Sequence, residues 1–161
     1  MDSVTAGFYQ MAAFVFFTFG RAIGTYMLRF LSAGKVLMYF ALLATFFVLG
    51  VIFIEGVLGL YCLIGVSMSM SVMFPTIYGI ALNGLTEDES KVGSAGLIMA
   101  IVGGALMPKL QGMIIDLGGN GVADMEIMGV SEVNFSFVLP LVCFLYIAWY
   151  GNHVYKKYEV N

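Results

Sequence analysis

Tyr9 and Gln10 stand side by side inside a long apolar run, VTAGFYQMAAFVFFTF. A phenol beside a primary amide offers donors, acceptors and an aromatic face. In hydrocarbon such groups turn toward protein or water, because an unpaired polar atom there is costly. Two readings are open for the pair: contact with a polar solute in a cavity, or a hydrogen bond between helices. A second polar group lies in GLYCLIGVSMSMSVMFPTIYGIALNGL. Ser67 and Ser71 are four apart and share a helix face. Pro75 removes a backbone hydrogen bond inside the same run. Thr76 and Tyr78 follow it, and Asn83 closes the run. A break flanked by hydroxyls can build a polar site at membrane depth, provided water or a neighbour satisfies the freed carbonyl. The other reading is a structural kink with the serines bonded to their own backbone. Met68, Met70 and Met73 read as packing rather than metal ligands.

Several chemistries are excluded. The single histidine, His153, lies beside Trp149, Tyr150 and Tyr155 and before Lys156-Lys157, where an interfacial belt belongs. Ser94 in Gly93-Ser94-Ala95-Gly96 therefore has no histidine at usable depth, and no HExxH motif is present. No Asp or Glu lies deep in an apolar run, so a paired-carboxylate protease is not expected. No glycine run continues into Lys-Ser or Lys-Thr, which leaves out a phosphate loop. A net charge of −3 provides no basic footprint for nucleic acid. Cys62 and Cys143 sit within apolar runs and read as packing residues.

These residues are carried by elements that belong in a bilayer. Of 161 residues, 61% are hydrophobic and 11% charged, and mean hydropathy is +0.97. A soluble domain carries about 25% charge. A membrane helix needs about 20 apolar residues. Five segments meet that demand, near 4–28, 35–55, 57–82, 93–115 and 133–155, so the expected fold is an all-α membrane protein. The turn at Glu55-Gly56 is tight, residues 83–92 hold most charges of the middle of the chain, and residues 116–132 are Gly-rich and acidic. Arg21, Arg29, Lys35, Lys91, Lys156 and Lys157 fall on one side of this arrangement and Lys109 on the other. That bias makes the C-terminus cytoplasmic and the N-terminus external. An external start with an odd number of spans leads us to expect a longer parent protein, with further segments upstream.

Small residues point to close packing. Gly20 and Gly24 are spaced for helix approach, with Arg21 between them free to snorkel or meet a helix C-terminus. Gly96, Ala100 and Gly104 recur every four residues, and Gly103 widens the stripe. This face should touch another helix backbone to backbone, as a static contact or a sliding one. Pro108 is expected to break that helix toward its outer end, before Lys109 and Gln111.

The stretch from Met73 to Asp116, MFPTIYGIALNGLTEDESKVGSAGLIMAIVGGALMPKLQGMIID, resembles the fucose–proton symporter family of the major facilitator superfamily. Phe74-Pro75-Thr76-Ile77, Lys91 with Gly93-Ser94-Ala95, Met99, Gly103-Gly104-Ala105, Pro108 and Gly112…Asp116 carry the likeness. Thr5-Ala6-Gly7 and Gly20-Arg21…Gly24-Thr25 extend it, and it is thinnest over 117–132. The resemblance implies a twelve-helix transporter of two halves, with the present spans matching helices eight to twelve and the N-terminal half absent. It implies import of L-fucose or a related hexose such as glucose or galactose with protons, by alternating access, across a bacterial inner membrane. No cofactor is implied beyond the coupling proton, whose carboxylates lie in the family's N-terminal half. The partners implied are a small sugar, the lipid bilayer and that missing half. Carried onto this chain, the cavity wall falls to Tyr9, Gln10, Thr76, Tyr78 and Met99, with Asn83 nearer the cytoplasmic mouth. The alternative is a truncated membrane remnant that does not transport.

Overall fold

A computed structural model describes residues 3–54, 56–116, 126–127 and 130–158. Glu55 and most of the 116–132 connection, Asp124 included, lie outside the described residues. The order is α1 (Ser3–Met27), α2 (Ala33–Phe53), α3 (Val57–Met70), α4 (Met73–Leu82), α5 (Glu87–Ala100), α6 (Val102–Ile115), β1 (Glu126–Ile127), β2 (Val130–Ser131), α7 (Glu132–Phe135) and α8 (Val138–Tyr158). The strands form one short antiparallel pair. The helices make five rods: α1, α2, α3–α4, α5–α6 and α7–α8. Four stretches, Ala33–Phe53, Val57–Leu82, Glu87–Ile115 and Glu132–Lys157, are long and apolar enough to cross a membrane. At 1.5 Å per residue the 25 residues of α1 reach about 37 Å, against a hydrocarbon core of about 30 Å.

α2 is the packing centre, with half of its apolar stretch buried. Val36, Leu37, Phe40, Ala41, Ala44, Val48 and Ile52 form its inner side and meet Val66, Val72 and Met73 of the α3–α4 rod and Phe144 and Ala148 of α8. In a bilayer such contacts stabilise through close van der Waals fit rather than release of water. α1 packs alongside α3.

Two breaks differ from the sequence expectation. The α3–α4 rod turns at Ser71-Val72, ahead of Pro75. Pro75 then takes the third position of α4, where its missing N–H is one the first turn leaves unpaired anyway. The other rod breaks at Ile101, not at Pro108. Ile101 N–H donates to the Ile98 carbonyl at 3.0 Å and Gly104 N–H to the Ile101 carbonyl at 2.8 Å, a local 3₁₀ tightening. Pro108 lies inside α6, which continues to Ile115. The poor helix formers Gly103 and Gly104 follow the break at once, and Pro108 forfeits only the bond to the Gly104 carbonyl.

The polar turn before α5 is closed by its own residues. Thr86 donates from its N–H (2.9 Å) and its hydroxyl (2.7 Å) to Glu89 Oε2. Lys91 reaches back to Asp88 (3.0 Å) and Glu87 (3.4 Å). The expected turn at Glu55-Gly56 is described from Gly56, whose φ of 81° favours glycine.

Candidate functional site

Tyr9, Gln10 and Ser67 meet at the seam between α1 and α3. On the side of the seam facing α2 is a 580 Å³ chamber lined by Phe8, Tyr9, Phe16, Phe47, Tyr61 and Gly65, among others. Its shape depends on Gly65, since a Cβ there would meet the Phe47 ring at 2.8 Å. Polar lining is scarce, as expected of an aromatic crevice toward lipid. On the other side, away from α2, a 270 Å³ cleft is lined by Tyr9, Gln10, Ala13, Leu60, Leu63, Ile64 and Ser67. It adjoins a 200 Å³ depression that shares Gln10, Ala13 and Ser67.

Tyr9 is half-buried between the two spaces, its ring edge-on to Tyr61 with centroids 6.2 Å apart. Gln10 is exposed to the cleft. Among the described residues neither the Tyr9 hydroxyl nor the Gln10 amide has a hydrogen-bond partner. Ser67 donates to the Leu63 carbonyl at 3.3 Å, a long bond that leaves its lone pairs open. Phenol, amide and hydroxyl thus face one apolar cleft, the chemistry that holds a polyhydroxylated solute. Ser67 was legible in the sequence only as a neighbour of Ser71. The structure separates them: Ser67 faces the cleft, and Ser71 is buried and donates to the Met68 carbonyl at 2.7 Å.

The other residues singled out fall elsewhere. Thr76 is buried, its hydroxyl on the Val72 carbonyl at 2.7 Å. Tyr78 donates to Ser94 Oγ at 2.8 Å, and Ser94 donates in turn to the Ser90 carbonyl at 2.6 Å, tying α4 to α5. Met99 is exposed on α5. Asn83 ends α4 and lines a separate 430 Å³ cavity with Ala33, Gly34, Leu85, Tyr150 and Val154, between the ends of α2, α4 and α8. The structure therefore brings Tyr9 and Gln10 together and leaves Thr76, Tyr78, Met99 and Asn83 apart from them.

The glycine pairs also divide. A Cβ on Gly20 would lie 2.8 Å from Ser71 Oγ, and one on Gly24 would collide with Val72, so both press on the α3–α4 break. Arg21 points away, lining a shallow groove with Thr18, Thr25 and Arg29, and Pro75 is exposed. Gly96, Gly103 and Gly104 would meet nothing within 4 Å. Among the described residues the expected backbone contact of this stripe is not made: α5–α6 is joined to its neighbours at its two ends and none of its apolar stretch is buried.

No protein-family model matches the chain. The L-fucose-proton symporter of Haemophilus influenzae is 55% identical over 148 residues, 92% of this chain and 33% of that protein. The chain belongs to the fucose–proton symporter family of the major facilitator superfamily. A glucose/galactose transporter of Brucella abortus is 33% identical over 82% of this chain and 29% of its own length. The crystal structure of the fucose:proton symporter FucP of Escherichia coli superimposes with a TM-score of 0.83 at 28% identity, over 96% of this chain and 34% of that one. The chain spans about a third of the length of the relatives it matches. Its five rods superimpose on about a third of that major facilitator structure. Transporters, not enzymes, are what it is similar to.

Proposed function

We propose that this chain forms the C-terminal helices of an L-fucose– or related hexose–proton symporter working by alternating access. The observation that carries the reading is the cleft beside α1 and α3, where Tyr9, Gln10 and Ser67 present unused hydrogen-bonding groups beside an aromatic ring. The relatives named for L-fucose, glucose and galactose give the substrate class. In this reading Tyr9, Gln10 and Ser67 form one wall of the sugar path, and the remaining wall and the proton-binding carboxylates come from the rest of the transporter. None of α1 to α4 contains an Asp or Glu, which fits a segment that binds sugar without carrying the proton. The bilayer is a bacterial inner membrane, with the basic ends of α1 and α8 and the 83–92 turn on the cytoplasmic side.

The test is uptake of labelled L-fucose, galactose and glucose into proteoliposomes under a proton gradient. The protein is a complete transporter carrying this segment. Gln10→Ala is expected to weaken uptake at unchanged membrane level. Unaltered uptake kinetics would remove Gln10 from the path. A second reading, a membrane remnant without transport, is favoured by the same lack of carboxylates. It predicts no sugar-dependent proton uptake by the 161-residue chain alone.

A further inference from the structure

We infer that the cavity between the ends of α2, α4 and α8 seats the phosphate headgroup of an anionic phospholipid. The cavity holds 430 Å³ and shares no lining residue with the α1–α3 cleft. Asn83 and Tyr150 bring an amide and a phenol to its wall, and among the described residues neither side chain has a hydrogen-bond partner. Ala33 and Gly34 bring the first turn of α2. The first intrahelical bond there runs from Val36 N–H to the Ser32 carbonyl at 3.0 Å, so the N–H groups of residues 33–35 have no carbonyl within the helix. Ser32 does not cap them. Its Oγ, next to Ala33, is fully buried and has no partner among the described residues.

The sign of the ligand follows from the charges around it. Lys35 follows Gly34 directly and holds its Nζ 4.5 Å from the centre of the Tyr155 ring, one residue past Val154 of the lining. Lys156 and Lys157 stand in the last turn of α8. No Asp or Glu occurs in α2, α4 or α8. The carboxylates that follow Leu85 are engaged locally, Glu89 by Thr86 and Glu87 and Asp88 by Lys91. Open donors at the positive end of a helix, beside lysines, are the setting that holds a phosphate.

Depth selects a lipid over a phosphate from the water. Trp149 precedes Tyr150 and stacks on His153 with ring centroids 5.7 Å apart, as amphipathic rings do in the headgroup layer. Ile80, Ala81, Leu85 and Val154 make the rest of the lining apolar, a surface for the glycerol and first acyl carbons that a free phosphate would leave bare. Pockets between helices at the basic end of a membrane protein take anionic headgroups in this way. The binding requires only the membrane-spanning fold. Its assignment to the cytoplasmic leaflet rests on the orientation proposed above.

The experiment strips lipid from the 161-residue chain in dodecyl maltoside and adds phosphatidylglycerol, phosphatidylcholine or inorganic phosphate at matched concentration. Native mass spectrometry counts retained lipid, and a thermal melt reads stabilisation. Phosphatidylglycerol is expected to stay on as one molecule per chain and to raise the melting temperature, and the other two to do neither. Asn83→Leu with Tyr150→Phe should weaken phosphatidylglycerol retention at least about tenfold, through loss of two hydrogen bonds to a charged group. Lys35→Gln should weaken it separately, and Lys109→Gln, at the opposite end of the spans, should leave it unchanged. The lipid-free melt of each variant shows that it is folded, and Tyr150→Phe alone, which keeps the ring, serves if the pair is not. Failure to retain phosphatidylglycerol, or unchanged retention in the cavity variants, overturns the inference. Equal retention of phosphatidylcholine, or an equal loss with Lys109→Gln, overturns it in favour of unspecific lipid. Stabilisation by inorganic phosphate as large as by phosphatidylglycerol overturns the lipid in favour of a soluble anion.

Discussion

Gly34 and Gly151 face each other where α2 crosses α8, and a Cβ on either would lie 3.1 Å from the carbonyl oxygen of the other. The same Cβ atoms would lie 2.9 Å from Tyr155 N and Met38 N. The obstacles are backbone atoms on both sides, so no rotamer change can make room. One turn further, Lys35 Nζ stands 4.5 Å from the centre of the Tyr155 ring, a cation–π contact that closes the crossing at its polar end.

Gly151→Ala should therefore part the two helices and destabilise the chain by about 1–3 kcal/mol, the usual cost of overpacking. Gly103→Ala, on the open face of α6, should be neutral or stabilise by up to about 1 kcal/mol through helix propensity. Unfolding in a denaturing-detergent titration reads both. Equal effects at the two positions would contradict the packing described.

The sequence made the rods legible and left their neighbours obscure. Apolar runs of membrane length identify an all-α membrane fold without reference to any contact, because the bilayer imposes that length. Which face of a rod meets which partner is a tertiary matter. Gly20…Gly24 and Gly96…Ala100…Gly104 share a four-residue spacing, yet the first is pressed against a neighbouring rod and the glycines of the second are open. Gly34 and Gly151 belong to no spaced motif, and they make the tightest reciprocal contact. At the seam, Tyr9-Gln10 was visible as a polar pair in hydrocarbon. Ser67 was harder to separate from Ser71, since both face α1 and only the close approach of α1 at Gly20 covers the second of them. Thr76 and Tyr78 have the chemistry of a binding site and spend it on Val72 and Ser94.

The Tyr78–Ser94 bond can be isolated. Tyr78→Phe and Ser94→Ala each remove it with little change of shape. Double-mutant cycles on interhelical hydrogen bonds in membranes average about 0.6 kcal/mol. A coupling of about that size is expected between the two positions in chain stability. Zero coupling would show that α4 and α5 are held by packing alone.

α1 should be released by a bulky residue at the break. Gly24→Leu cannot be accommodated against Val72 without moving α1 away from the α3–α4 rod. Its readout is joining of Tyr9→Cys to Tyr61→Cys by a short bifunctional thiol reagent in a Cys62→Ala, Cys143→Ala background, at positions whose parent rings are 6.2 Å apart. The cross-link is expected to form in the chain with Gly24 and to be lost with Gly24→Leu. Persistence of the cross-link would mean that α1 is held to α3 away from the glycines.

The three polar groups of the α1–α3 cleft should act on sugar affinity and not on protein level. A net hydrogen bond is worth about 0.5–1.5 kcal/mol, so Gln10→Ala and Ser67→Ala in a complete transporter should each raise the half-saturating sugar concentration roughly 2- to 10-fold. Tyr9→Phe should cost less than Tyr9→Ala, because the ring also packs on Tyr61 and separates the two spaces. Ser71→Ala is the internal control. Its hydroxyl is buried on the Met68 carbonyl beneath Gly20, so it should alter stability and leave half-saturation unchanged. Initial rates of labelled sugar uptake over a concentration series, corrected for the amount of transporter in the membrane, distinguish these outcomes. A response at Ser71 equal to that at Ser67 would locate the sugar path at the helix break instead of in the cleft.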